Sequence, residues 1–226
     1  MYRKKLKRVG TTLLFIGLLD IAYTIYCLIN QKDYIPSFSI FSVVSGIYLI
    51  RGNLRAANYV SIFSILILTS LTGFFIFDIL LKPLDFWLIF LRVSAQESFR
   101  EIVSVLLFLG FLFWIYRELS SKAVIEAIKQ TDIRAKPIVL GFIVGIFLPI
   151  ITTLMIWLPT RGETAHFAIQ EARKKYGSNY KYLVHNVSIS YYYSNVHSIK
   201  RNQVSMTRYN HNEIRDFNFV WDEPNE

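Results

Sequence analysis

Three shortages narrow the reading of this chain. Cysteine occurs once, at Cys27, so no disulfide can form within the molecule, and any exported part must fold without that staple. Cys27 lies in an apolar run and reads as a small packing residue. Charged residues make up only 18% of the 226 positions, against roughly 25% in an average soluble domain. Solvated surface is therefore scarce. Histidine is missing from the first 165 residues, and His166, His185, His197 and His211 all fall in the last stretch. No H-x-x-x-H, H-E-x-x-H or cysteine pair accompanies them, so neither a metal nor another cofactor is expected. No nucleophile elbow, P-loop or dinucleotide fingerprint nominates a catalytic residue.

The hydrophobic share is 53% and the mean hydropathy +0.36, and the apolar excess lies before Pro159. A net charge of +9 invites a nucleic-acid partner, but its distribution argues otherwise. From residue 160 onward there are nine Lys/Arg against seven Asp/Glu, so the basic surplus belongs to the apolar part. There is no zinc-finger spacing, RNA-binding signature or basic helix with heptads. Nucleic acid is not an expected partner.

"MYRKKLKR" opens the chain, followed by an apolar run from about 9 to 30. That run is too long for a signal peptide's apolar region and lacks a cleavage site. It reads as a retained membrane span, since roughly 20 residues cross the hydrocarbon. Further spans are expected at 35–50, 58–81, 99–117 and 138–158, the second and fourth being short. Gly141 and Gly145 in the last span suit close helix packing, either inside the protein or between copies. Between the third and fourth spans, "KPLDFWLIFLRVSAQESFRE" is too short to cross. It reads as an interfacial helix near 84–98 with Phe86, Trp87 and Phe90 at headgroup depth, or as an extension of the fourth span.

Charge orients this arrangement. Residues 1–8, the turn 51–57 and the loop 118–137, with Arg117 at its border, hold five, two and five basic residues. The intervening segments hold Lys32, Lys82, Arg92 and Arg100. The positive-inside pattern makes the N-terminus cytoplasmic and exports residues 160–226. Arg51 and Arg55 mark the cytoplasmic turn and are also candidate contacts for an anionic lipid headgroup. The location expected is a cell membrane, of bacterial inner-membrane type.

In the loop after the fourth span, Ser120 or Ser121 is expected to cap a short helix with Val124, Ala127 and Ile128 on its apolar side. The exported tail then begins with a helix whose stripe is Ala165, Ala168, Ile169, Ala172 and Tyr176, stopped at Gly177. Alternating strands follow. Tyr180, Tyr182 and Val184 share one parity, and Val187, Ile189, Tyr191 and Tyr193 the other, which predicts a bulge or bend near Asn186. "QVSMTRY", a turn at "NHN" and "EIRDFNFVWDE" complete about three antiparallel strands. Helix then sheet is an α+β layer, and its element order resembles that of cystatin-like modules.

The fold expected is thus a multi-pass α-helical membrane protein of about five transmembrane helices with a small extracytoplasmic α+β domain. Its divisions are 1–117, a linker at 118–137, a fifth helix at 138–159 and a module at 160–226. The leading function is a non-enzymatic scaffold, sensor or partner-binding component. Its contact surface is expected at Tyr191, Tyr192 and Tyr193, since tyrosine joins apolar area to a hydrogen-bonding tip. These rings could equally cover the module's own thin core. Beyond the lipid bilayer, the partner would be another membrane or envelope protein, or a second copy. The competing class is a small-solute or ion carrier centred on Asp20, which falls mid-span where an ionised side chain costs at least about 2.5 kcal/mol. The plain alternative is that Asp20 fixes helix packing through Tyr23, Thr24, Ser42 or Ser45.

Overall fold

The structure is a computed structural model that describes residues 2–32, 39–131, 138–193 and 198–224. In chain order it contains α1 (Tyr2–Ile29), α2 (Ser39–Ile50), α3 (Leu54–Leu81), α4 (Leu84–Val93), α5 (Ala95–Leu119), α6 (Lys122–Gln130) and α7 (Ile138–Trp157). A 3₁₀ turn at Pro159–Arg161 leads into α8 (Glu163–Tyr176), β1 (Lys181–Tyr193), β2 (Ser198–Tyr209) and β3 (Ile214–Pro224). Four helices are long and apolar enough to cross a membrane: Tyr2–Ile29, Leu54–Leu81, Ser98–Leu119 and Val139–Arg161. The described part of the second expected span, α2, has 12 residues. At 1.5 Å per residue that is about 18 Å, short of the hydrocarbon thickness.

Two compact units divide the chain, and α3, α5 and α7 supply residues to both. In the first unit, residues 1–72 and 106–147, α1 and α2 meet at paired glycines. A Cβ on Gly10 would stand 2.8 Å from the Gly46 carbonyl oxygen, and one on Gly46 would stand 2.8 Å from that of Gly10. Only hydrogen allows the two backbones this close. Gly10 is early in α1 and Gly46 late in α2, so the chain is back at its starting end by Arg51. There it reverses in three residues. Gly52, at φ +80°, donates to the Leu49 carbonyl at 2.9 Å, and Asn53 donates to that of Tyr48 at 3.0 Å. This is a glycine helix stop of the Schellman type. Asn53 then accepts from the Ala56 N–H at 3.1 Å and caps α3. The turn needs a left-handed residue followed by a cap, and "GN" supplies both.

The same end of this unit holds its core. Leu6, Val9, Leu13, Leu49, Leu54, Ala57, Ile115, Leu119, Val124 and Ile128 form one buried cluster. The apolar side expected of α6 is therefore spent on the helix ends. The capping expectation fails in detail. Ser121 occupies the N-cap position of α6, but its side chain makes no capping bond there. Its hydroxyl donates instead to the Glu118 carbonyl at 2.8 Å, closing α5, while the Ser120 and Ser61 hydroxyls bond to each other at 2.8 Å.

The second unit comprises residues 73–105 and 148–226. Its sheet has the order β1-β2-β3, antiparallel throughout. The register between β1 and β2 shifts between Val184 and Asn186, which is the bulge that the parity change announces. On one face Val204 and Met206 are buried beneath Ala168 and Ala172 of α8, with Tyr182, Val184, Val187, Phe217, Phe219 and Trp221 around them. Alanines let the helix approach the sheet closely, and the aromatic rings fill the margins. Gly177, at φ +98°, ends α8, and the Tyr182 hydroxyl donates to its carbonyl at 2.9 Å. On the β2–β3 turn, the Asn210 side chain accepts from the N–H groups of Asn212 and Glu213, each at 2.9 Å.

Candidate functional site

Asp20 lies midway along α1 and is half-buried, and the Thr24 hydroxyl donates to its backbone carbonyl at 2.8 Å. That bond is the usual i−4 return of a helical threonine. Arg51 and Arg55 are both exposed on the α2–α3 turn. Gly141 and Gly145 face α3: a Cβ on Gly141 would stand 2.6 Å from the Ile62 carbonyl oxygen, and one on Gly145 2.8 Å from that of Leu66. In this chain the pair is spent on an internal contact. Tyr191 is 52% exposed. Tyr192 and Tyr193 belong to β1, but their side chains lie outside the described residues, as does His197.

What sequence reasoning missed is a polar chain on the other face of the sheet. Thr207 pairs with Leu183 on one side and Asp216 on the other, and the bulge at His185 aims the imidazole at the same spot. The Thr207 hydroxyl donates to the Asp216 carboxylate and is bonded to His185 Nε2. A hydroxyl has one proton, so Thr207 must accept from His185 Nε2–H, and this selects the tautomer. Thr207 is 2% exposed, out of reach as a nucleophile. Burial, then the positive charge of Lys82, pushes the His185 pKa down, while Asp216 and Asp78 oppose this more weakly. Among the described residues no three His, Cys, Asp or Glu side chains gather as a metal site would require. The arrangement can hold or lose a proton, and no step of covalent chemistry follows from it. The predicted bulge was the available signal, because bulges redirect side chains.

Beside this chain the sheet rests on α4. Phe86 is 6% exposed and meets Tyr209 edge to face at 5.2 Å. Asp85 is ion-paired with Lys181, which holds the Asp85 carboxyl below the usual range and the Lys181 ammonium above its own. Lys82 bonds Asp78 at 2.7 Å and stands over the rings of Phe86 and Trp87 at 5.6 and 5.1 Å. The aromatic side of α4 is therefore not all free for headgroups, as the sequence suggests. Phe86 is claimed by the sheet, whose Tyr209 offers a better-packed partner.

At the far end the sheet outruns its helix. Thirteen strand residues span about 43 Å, fourteen helical residues about 21 Å. Ile189 and Tyr191 share the parity of Val187 on the α8 side, yet are 43% and 52% exposed, and Val220 on the opposite face is 51% exposed. Flanking charges are matched across strands, Arg201 with Asp222 at 2.8 Å and Lys200 with Glu223 at 2.9 Å. The surface left over is apolar and aromatic with a neutralised rim. No protein-family model matches this chain, and no curated protein or solved structure is significantly similar to it.

Proposed function

We propose that this is a multi-pass membrane protein whose C-terminal α+β module lies outside the cytoplasm and binds another membrane or envelope protein through the overhanging end of its sheet. The observation that carries the reading is the length mismatch that leaves Ile189 and Tyr191, on the face that α8 covers, exposed beyond its end. An exposed aromatic and aliphatic patch with a charge-balanced border has the composition of a contact surface. The N-in orientation is supported by the core of the first unit. Leu6, Leu54, Leu119 and Val124 share one cluster, so the described parts of the three basic stretches, 2–8, 51–57 and 117–131, belong to one end. Lys5 and Glu118 are 3.5 Å apart there. Basic residues gathered at one end of an apolar bundle are what the positive-inside bias produces.

A photoreactive amino acid at position 191, activated in intact cells, should trap one defined neighbour. The same group at Asn212, on the β2–β3 turn, should not. Equal and diffuse labelling from both positions would remove the contact-surface reading.

A further inference from the structure

The helix α4 carries two unlike faces, and among the described residues only one has a partner within its unit. Phe86 and Phe90 project to one side, where Phe86 is buried against Tyr209 of the sheet. Leu84, Leu88 and Leu91 fall within about 60° of one another on the opposite side. They are 78%, 70% and 47% exposed. We propose that this leucine stripe seats α4 in the interfacial layer of the bilayer, so that one helix holds the sheet module on its aromatic face and lipid on its leucine face. The inference deepens the membrane reading above and rests on it.

The occupant follows from where the stripe is. Only Lys82 and Pro83 separate α4 from α3, and only Ser94 separates it from α5, two of the four helices of membrane-crossing length. Ten residues span about 15 Å, too short to cross. Pro83 is extended, at φ −60° and ψ 145°, and Ser94 leaves helical geometry at φ −121° and ψ 39°, so the backbone turns at both ends of α4. Both chain neighbours also carry exposed apolar side chains close to α4 in sequence. Leu80 of α3 is 72% exposed and Phe99 of α5 is 70% exposed. Exposed apolar side chains thus occur on α4 and on both of its membrane-length chain neighbours, as expected of segments that share one apolar solvent. Three leucines fall far short of the roughly 20–30 residues per side of a stable protein interface, but they suffice for a shallow apolar insertion about 5–10 Å deep. Charge agrees. Arg92, exposed at the edge of the stripe, is placed to reach phosphates, as interfacial arginines do. The one carboxylate in the helix, Asp85, is neutralised by Lys181.

The test uses full-length protein in phosphatidylcholine vesicles containing phosphatidylglycerol. In a Cys27→Ser background, Leu88→Cys and Leu91→Cys would each carry an environment-sensitive fluorophore, with Phe147→Cys in α7 and Asn212→Cys on the β2–β3 turn as references. The expected result is at least a twofold loss of emission at 88 and 91 with lipids spin-labelled near the headgroup. Iodide and chain-end labels should have less effect there. The fluorophore at 147 should respond to chain-end labels and the one at 212 to iodide. Iodide quenching at 88 and 91, with 147 still quenched by lipid, would overturn the lipid seat and leave the membrane reading intact. Emission at 88 and 91 insensitive to lipid and iodide alike would mean that protein covers the stripe, and would overturn it equally. If 147 also fails to respond to lipid, the membrane reading falls with it.

Discussion

His185 and Asp20 are the two residues whose chemistry is most open to measurement. Burial and Lys82 lower the His185 pKa from its ordinary 6.5. In the folded sheet the ring is therefore neutral at a pH where the unfolded chain already binds a proton. That contribution to stability is complete above about pH 6.5 and is lost as the pH falls from there toward the folded value. Thermal unfolding of the intact protein in detergent should show a falling midpoint across this window, and His185→Gln should flatten that fall. Identical slopes for the two proteins would mean that the imidazole is solvated after all. For Asp20, replacement by Asn keeps the shape and removes the carboxyl group. If binding through the sheet is the function, Asp20→Asn should leave the crosslink from position 191 unchanged; loss of a transported solute would instead favour a carrier.

Helix contacts made through hydrogen in place of a side chain fix the geometry of the first unit. Gly46→Val would drive two methyl groups into the backbone of α1 around Gly10 and Leu14, a strain of about 1–3 kcal/mol. Gly141→Val would do the same against Ile62 and Ile65 of α3. Each should lower the unfolding midpoint in detergent and speed proteolysis of the α1–α2 or α7 region respectively. Gly110 offers an internal control, because a Cβ there would meet nothing within 4 Å, and Gly110→Ala should be neutral or slightly stabilising through the helical preference for alanine. If all three substitutions behave alike, close packing is not what the glycines provide. In the second unit the corresponding device is the alanine stripe of α8. Ala168→Leu would lift the helix from Val204 and Met206 and expose the sheet's aromatic margin.

For the molecule as a whole, the proposed membrane arrangement is decided by the side each end occupies. If it holds, a protease admitted only to the outer face of the cell membrane should remove a tag fused after Glu226 and spare one fused before Met1. Protection of the C-terminal tag would invert the proposed orientation and cancel the partner surface with it. The description of four long helices and a C-terminal antiparallel sheet would survive either outcome, since it depends on hydropathy and hydrogen bonding alone.

Hydropathy made the long helices legible in the sequence, because a run of more than 20 apolar residues has few other ways to satisfy its backbone. Strand parity likewise marked the bulge near Asn186, and spacing marked the alanine stripe and Gly177. These are local patterns with one solution each. The meeting of Gly10 with Gly46, the bonding of Thr207 to both His185 and Asp216, and the choice of α4 face for the sheet were decided only in three dimensions. Each depends on which distant segments become neighbours. Sequence spacing specifies the face of an element, and packing determines what that face meets.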